Sequence, residues 1–275
     1  MYDFYLGTKE EIEKDEIKFL ISIKRMMPRW VNSLPDSEYI ALARILDEKG
    51  KEARDAGSEP VFVETGAGAS SLVMAFYAMK YDGIAYSWDM NGEKGSVIRT
   101  VCTETMCNYF GRHIQNHWKL VAASSLSPYL GLRVLGDLVS HLDVFFHDSE
   151  HVWTTIRDEL EAIFPLLTQE AVVALDDSNL AFRHTNMGYI NMFRKKLGLP
   201  AAEPPEGNEG APFHVEAEKL LKERFSVVVP LDDYYKEAFR EDPYNSYYNS
   251  EMTLNQVSDT LENRFNSWCV SGLIE

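Results

Sequence analysis

Five short apolar runs, each followed by a stretch with helical periodicity, set the main limit on what this chain can fold into. They are Pro60-Val-Phe-Val63, Gly83-Ile-Ala-Tyr-Ser-Trp88, Lys119-Leu-Val-Ala122, Leu142-Asp-Val-Phe-Phe146 and Ala171-Val-Val-Ala-Leu175. Continuous apolar runs without alternation suit strands covered on both faces, which is the situation of parallel strands under crossover helices. Strands alternating with helices predict an α/β fold, a doubly wound, mostly parallel sheet with helices on both faces. A sixth run, Phe225-Ser-Val-Val-Val229, and a seventh near Trp268-Cys-Val270 extend the expectation to seven strands, the terminal one antiparallel.

The flanks read differently. Residues 8–56 predict two helices, with a Thr8/Glu11 capping box at the start and a break at Leu34-Pro35-Asp36. We take residues 1–56 as an N-terminal helical cap and 57–275 as the main domain. Within the latter, the Pro-, Gly- and Glu-rich stretch 200–213 and the stretch 232–263 are expected as insertions. The second carries Tyr234, Tyr235, Tyr244, Tyr247 and Tyr248, which suit either a lid over a substrate or plain packing of an insertion against the sheet.

Composition narrows the function classes. With 27 Lys and Arg against 43 Asp and Glu, the formal net charge is −16 over 275 residues. No basic stripe is present to capture a nucleic-acid backbone, whereas metal ions and cationic ligands are tolerated. The longest apolar run, Leu72 to Met79, is far below the ~18 residues of a membrane span. An acidic N-terminus without a secretion-signal pattern, and three cysteines (Cys102, Cys107, Cys269) without zinc-like spacing, fit a reduced, cytoplasmic setting. Homo-oligomers are compatible with this composition.

Three loops carry the chemistry. The first strand ends in Glu64-Thr65-Gly66-Ala67-Gly68-Ala69-Ser70. Its glycines permit a tight turn and close ligand approach, and the helix that follows presents free N–H groups. Asp89 ends the second strand 21 residues after Gly68, and a carboxylate there suits ribose hydroxyls. A dinucleotide fingerprint needs a third glycine where this chain has Ser71. Glu64 would repel a pyrophosphate and suits a cationic amino group. A glycine turn with no ligand is the plain alternative.

The fourth strand runs into His147-Asp148-Ser149-Glu150-His151 and the fifth into Asp176-Asp177-Ser178-Asn179. In a parallel sheet these ends share the edge of the glycine loop. Asp148, Asp176 and Asp177 converge there and invite a hard divalent cation, Mg²⁺ first, Ca²⁺ or Mn²⁺ otherwise. Helix capping by the same aspartates is the competing reading. His151 is a candidate general base, or an ordinary histidine at a helix start. His147 is expected to point the other way, as a structural residue or as a supporting partner behind the site residues.

Together these motifs resemble class I S-adenosylmethionine-dependent methyltransferases, which have a Rossmann-like sheet. The pattern D-x-x-H-x-W from Asp148, an Asp a turn later at Asp158, then Pro165-Leu-Leu and an acidic pair resembles the metal-dependent branch. That branch holds sugar- and antibiotic-tailoring O-methyltransferases and cephalosporin-hydroxylase-like proteins. The resemblance covers about residues 60–180. It implies that Glu64, Gly66, Gly68 and Ser70 hold the methionine end of S-adenosylmethionine, Asp89 the ribose, and Ser124 or Ser125 the adenine. It implies Asp148, Asp176 and Asp177 as metal ligands, Asp148 also facing the cofactor, and His151 with Asp148 as the catalytic pair. It further implies methylation of a hydroxyl on a sugar or other small-molecule or glycan acceptor. Thr168-Gln169-Glu170 departs from the glycine-containing turn usual before strand five. An NAD-dependent oxidoreductase and a non-catalytic small-molecule-binding protein on the same fold are the rival readings.

Overall fold

The structure, a computed structural model, describes residues 6–32, 34, 36–150, 153–176, 195, 198–201, 223, 225–230 and 268–273. The expectations for His151, Asp177, the stretches 202–213 and 232–263 and the tyrosine cluster lie outside these residues.

Among the described residues, the helices that precede the sheet are α1 (Lys9–Lys14), α2 (Glu16–Lys24) and α3 (Asp36–Asp55). The two-helix expectation for this region is corrected by Asp15. The expected capping box closes α1 at Thr8 and Glu11, but Asp15 ends α1 and starts α2, its carboxylate accepting from the Lys18 N–H. An Asp that accepts from the backbone two or three residues on interrupts helix propagation and restarts it.

The sheet body is five parallel strands in the order β3-β2-β1-β4-β5. These are β1 (Val61–Thr65), β2 (Ile84–Trp88), β3 (Trp118–Val121), β4 (Leu142–His147) and β5 (Leu167–Leu175). Backbone pairing continues past β5. Strand β7 (Trp268–Leu273) runs antiparallel to β5, and β6 (Phe225–Pro230) runs antiparallel to β7. Connecting helices are α4 (Ala69–Tyr81), α5 (Gly92–Glu104), α6 (Met106–Phe110) and α7 (Trp153–Ile163).

Alternation along each strand divides the core in two. Phe62, Ala85, Val144, Phe146, Val172 and Ala174 face α2–α6 on one side. Val61, Val63, Tyr86, Trp88, Phe145, Val173 and Leu175 face α7 and the short helix Leu132–Asp137 on the other. Apolar residues are needed at consecutive positions because both faces are covered. Helix α4 is buried along its length apart from Lys80, as expected of a helix wrapped by α3 and the sheet rather than facing water. Lys80 reaches Glu16 of α2 and Asp47 of α3, each at 2.7 Å. The N-terminal helices thus share one hydrophobic cluster with the sheet.

Strand β5 begins four residues earlier than the sequence predicts. Its pairing with β4 steps from Leu142↔Leu167 to Val144↔Val172, so the departure at Thr168-Gln169-Glu170 is absorbed as a register shift before the carboxyl end.

Candidate active site

Register places the predicted loops side by side. Thr65 pairs with Trp88 on one side and His147 on the other; His147 pairs with Leu175, and Trp88 with Val121. The hydrogen-bond ladder then continues one residue beyond each strand. Asp89 N–H donates to Val121 O at 3.2 Å, Gly66 to Trp88 O, Asp148 to Thr65 O and Asp176 to His147 O, the last three at 2.8 Å. Asp89, Gly66, Asp148 and Asp176 therefore stand in a row on the carboxyl edge, on strands ~4.8 Å apart.

The glycine loop sits at the middle of that row. Gly66 has φ +91°, and a Cβ there would lie 1.7 Å from the Asp148 carbonyl oxygen. Both the left-handed backbone and the close approach of two loops require glycine. At Gly68 the Val31 carbonyl lies 3.1 Å from a Cβ position, so the segment between α2 and α3 covers the loop. Ser70 is buried in the first turn of α4.

Ser71 explains the departure from a dinucleotide fingerprint. Its hydroxyl accepts from the Gly68 N–H at 3.1 Å and donates to Glu64 Oε1. Glu64 Oε1 also accepts from Ser87, whose hydroxyl receives the Trp118 indole N–H at 2.8 Å. A third glycine would leave the Gly68 N–H without this acceptor. Glu64 is fully buried, and burial, outweighing its hydroxyl donors, pushes its carboxyl up to about 7. It therefore lies beneath the loop, braced by side chains of α4 and β2.

Asp89 also braces the loop: Oδ2 accepts from the Ala67 N–H at 3.0 Å and from Lys94 Nζ at 2.8 Å, and Oδ1 from the Asn91 N–H at 2.7 Å. An ionised carboxylate has about four acceptor positions, which leaves room for a ribose hydroxyl. Ser124 caps its own loop, its hydroxyl accepting from the Leu126 N–H at 3.2 Å. Ser125 turns inward, donating to Glu159 Oε1.

Asp148 is partly buried and Asp176 is 7% exposed. They are the described members of the predicted acidic triplet. Among the described residues no group of three or more His, Cys, Asp or Glu side chains is placed to hold a metal ion.

Sequence reasoning missed Glu159. The acid singled out a turn after His151, Asp158, is half-exposed and paired with its neighbour Arg157 at 2.7 Å. The next residue, Glu159, is fully buried and lies 2.6 Å from His147 Nδ1. The signal was present: Ile156, Leu160 and Ile163 form the buried face of α7, and Glu159 sits among them at helical spacing. His147 is fully buried, as a structural residue would be.

Residues 63–178 match the family model of a methyltransferase domain. That stretch, which runs from β1 through β5 and holds the glycine loop, is therefore similar to a methyltransferase domain. Among solved structures, an O-methyltransferase from Bacillus cereus in complex with SAH is 9% identical with a TM-score of 0.50, each chain covered fully. A putative O-methyltransferase from Klebsiella pneumoniae is 10% identical with a TM-score of 0.50, again over the whole of both chains. MycE, a methyltransferase from the mycinamycin biosynthetic pathway, is 14% identical with a TM-score of 0.40 over 82% of this chain and 48% of its own. The chain thus spans about half the length of MycE. No curated protein matches. No helix of the described residues is long and apolar enough to cross a membrane.

Proposed function

We propose that this domain transfers the methyl group of S-adenosylmethionine to a hydroxyl of a sugar or other small-molecule or glycan acceptor, assisted by a divalent cation. The observation that carries the reading is the row Asp89, Gly66, Asp148, Asp176 on one sheet edge. A carboxylate for ribose stands on one side of the glycine loop and two carboxylates for a cation on the other. The SAH complex of the Bacillus cereus O-methyltransferase supports the choice of cofactor.

The methionine end belongs at Gly66, Gly68 and Ser70, where the loop and the first turn of α4 offer backbone N–H groups. Asp148 and Asp176, with Asp177, supply the all-oxygen ligands that Mg²⁺ takes. S-adenosylmethionine brings an electrophilic methyl carbon, and a bound cation lowers the pKa of the acceptor hydroxyl. His151, three residues past Asp148 in sequence, takes the proton that the hydroxyl releases. The remaining contribution is positioning: holding the two reactants in line is worth several kcal/mol of barrier. Ser71 and Glu64 weigh against the oxidoreductase alternative, since the loop depends on a side chain where a dinucleotide site has glycine.

Calorimetric titration with SAH and with NAD separates the cofactors; binding of NAD alone overturns the reading. Transfer of labelled methyl from S-adenosylmethionine to a panel of hydroxylated sugars and phenols then tests the activity. Asp177→Ala should abolish metal-dependent turnover and leave SAH binding mostly intact. Undiminished turnover in excess chelator removes the cation from the scheme.

A further inference from the structure

One carboxylate under the site has all of its acceptor positions filled. Glu159 Oε2 accepts from Thr65 Oγ1 at 2.9 Å and lies 2.6 Å from His147 Nδ1; Oε1 accepts from Ser125 Oγ at 2.5 Å and Ser149 Oγ at 3.0 Å. A carboxylate offers about four such positions, and here each goes to a different residue. Those residues are not scattered. Thr65 immediately precedes Gly66, His147 immediately precedes Asp148, Ser149 immediately follows it, and Ser125 belongs to the loop after β3. Three loops of the carboxyl edge are thus tied to one atom pair projected from α7.

We propose that Glu159 is a positioning residue for cofactor binding. It sets the spacing between the glycine loop, the Asp148 loop and the Ser125 loop. The inference rests on the methyltransferase reading and deepens it. Glu159 is fully buried and acts through Thr65, His147, Ser125 and Ser149. Burial by itself raises its carboxyl, but His147 and the hydroxyl donors outweigh that and hold it below the usual range. It is therefore the ionised, acceptor-only form that these donors require. A glutamine in its place supplies one acceptor oxygen and one amide donor, so the two partners of one terminal atom must either turn round to accept or let go, and the four contacts no longer hold as they stand.

The test is titration calorimetry with SAH on the full chain. Wild type, Glu159→Gln, Ser149→Ala, Ser125→Ala and the Ser125→Ala/Glu159→Gln double variant are compared, each with its melting temperature. Glu159→Gln should weaken SAH about tenfold, which is ~1.4 kcal/mol. Ser149→Ala, which removes one donor, should weaken it severalfold. The double variant should bind no worse than Glu159→Gln, because Ser125 acts through the carboxylate. Wild-type affinity in folded Glu159→Gln, or full additivity in the double variant, overturns the proposal. Should Glu159→Gln fail to fold, Ser149→Ala decides, and wild-type affinity there overturns it. Wild type that does not bind SAH would instead overturn the cofactor reading, so the two failures are distinct.

Discussion

Gly66 and Glu64 show how much of this site is decided by single residues. Gly66 combines a positive φ with a backbone contact, so Gly66→Ala meets strain and a clash at once, with no flexible side chain to give way. We expect loss of SAH binding and destabilisation of several kcal/mol, beyond the ~1 kcal/mol of a simple left-handed penalty; calorimetry and urea denaturation check both. Glu64 gives a pH prediction. Its carboxyl is raised from 4.5 to about 7 in the folded chain, so between those values the folded state holds a proton that the unfolded state has lost. Its contribution is fully present below about 4.5 and is lost as pH rises through about 7. Over that window the change is about 3 kcal/mol. The difference in urea midpoint between wild type and Glu64→Gln, followed from pH 5 to 8, should shrink steadily toward acid. Parallel curves would contradict the assignment.

Between elements, the join of α2 to α3 rests on a buried ion pair. Lys24, the last residue of α2, lies 2.5 Å from Asp36, the first of α3, and both are almost wholly buried. Burial lowers the Lys24 ammonium from its ordinary value, partly offset by Asp36. Removing one partner strands the other charge, so Asp36→Ala should cost about 3–5 kcal/mol, whereas Lys24→Met with Asp36→Leu should cost little. Chemical denaturation of the single and double variants distinguishes a necessary ion pair from a position that merely needs filling. The segment between these helices carries Val31 over Gly68, so the single variant should also weaken SAH binding.

For the whole molecule, the sheet brings together an edge rich in carboxylates on a chain of net charge −16. A ligand that binds only the folded state stabilises it by mass action, ~2.7 kcal/mol at 100 times its dissociation constant. SAH should therefore raise the melting temperature in thermal scans, and NAD at the same concentration should not. A shift with NAD alone would point the carboxyl edge to different chemistry.

Sequence by itself determined the strand positions, the glycine loop and the acids at the strand ends. These are local properties: apolar runs under two covering layers, a turn that only glycine permits, and polar residues where strands leave the core. Tertiary structure decided which way the polar side chains point. Glu64 and Ser125 turn into the protein, because cross-strand register sets Glu64 beside Ser87 of β2 and α7 sets Glu159 beneath Ser125. The same register brought the aspartates of different loops into one row and absorbed the irregular start of β5. Glu159 was visible as a charge on an apolar helix face. What it touches depends on four residues between 10 and 94 positions away, a relation that no local pattern encodes.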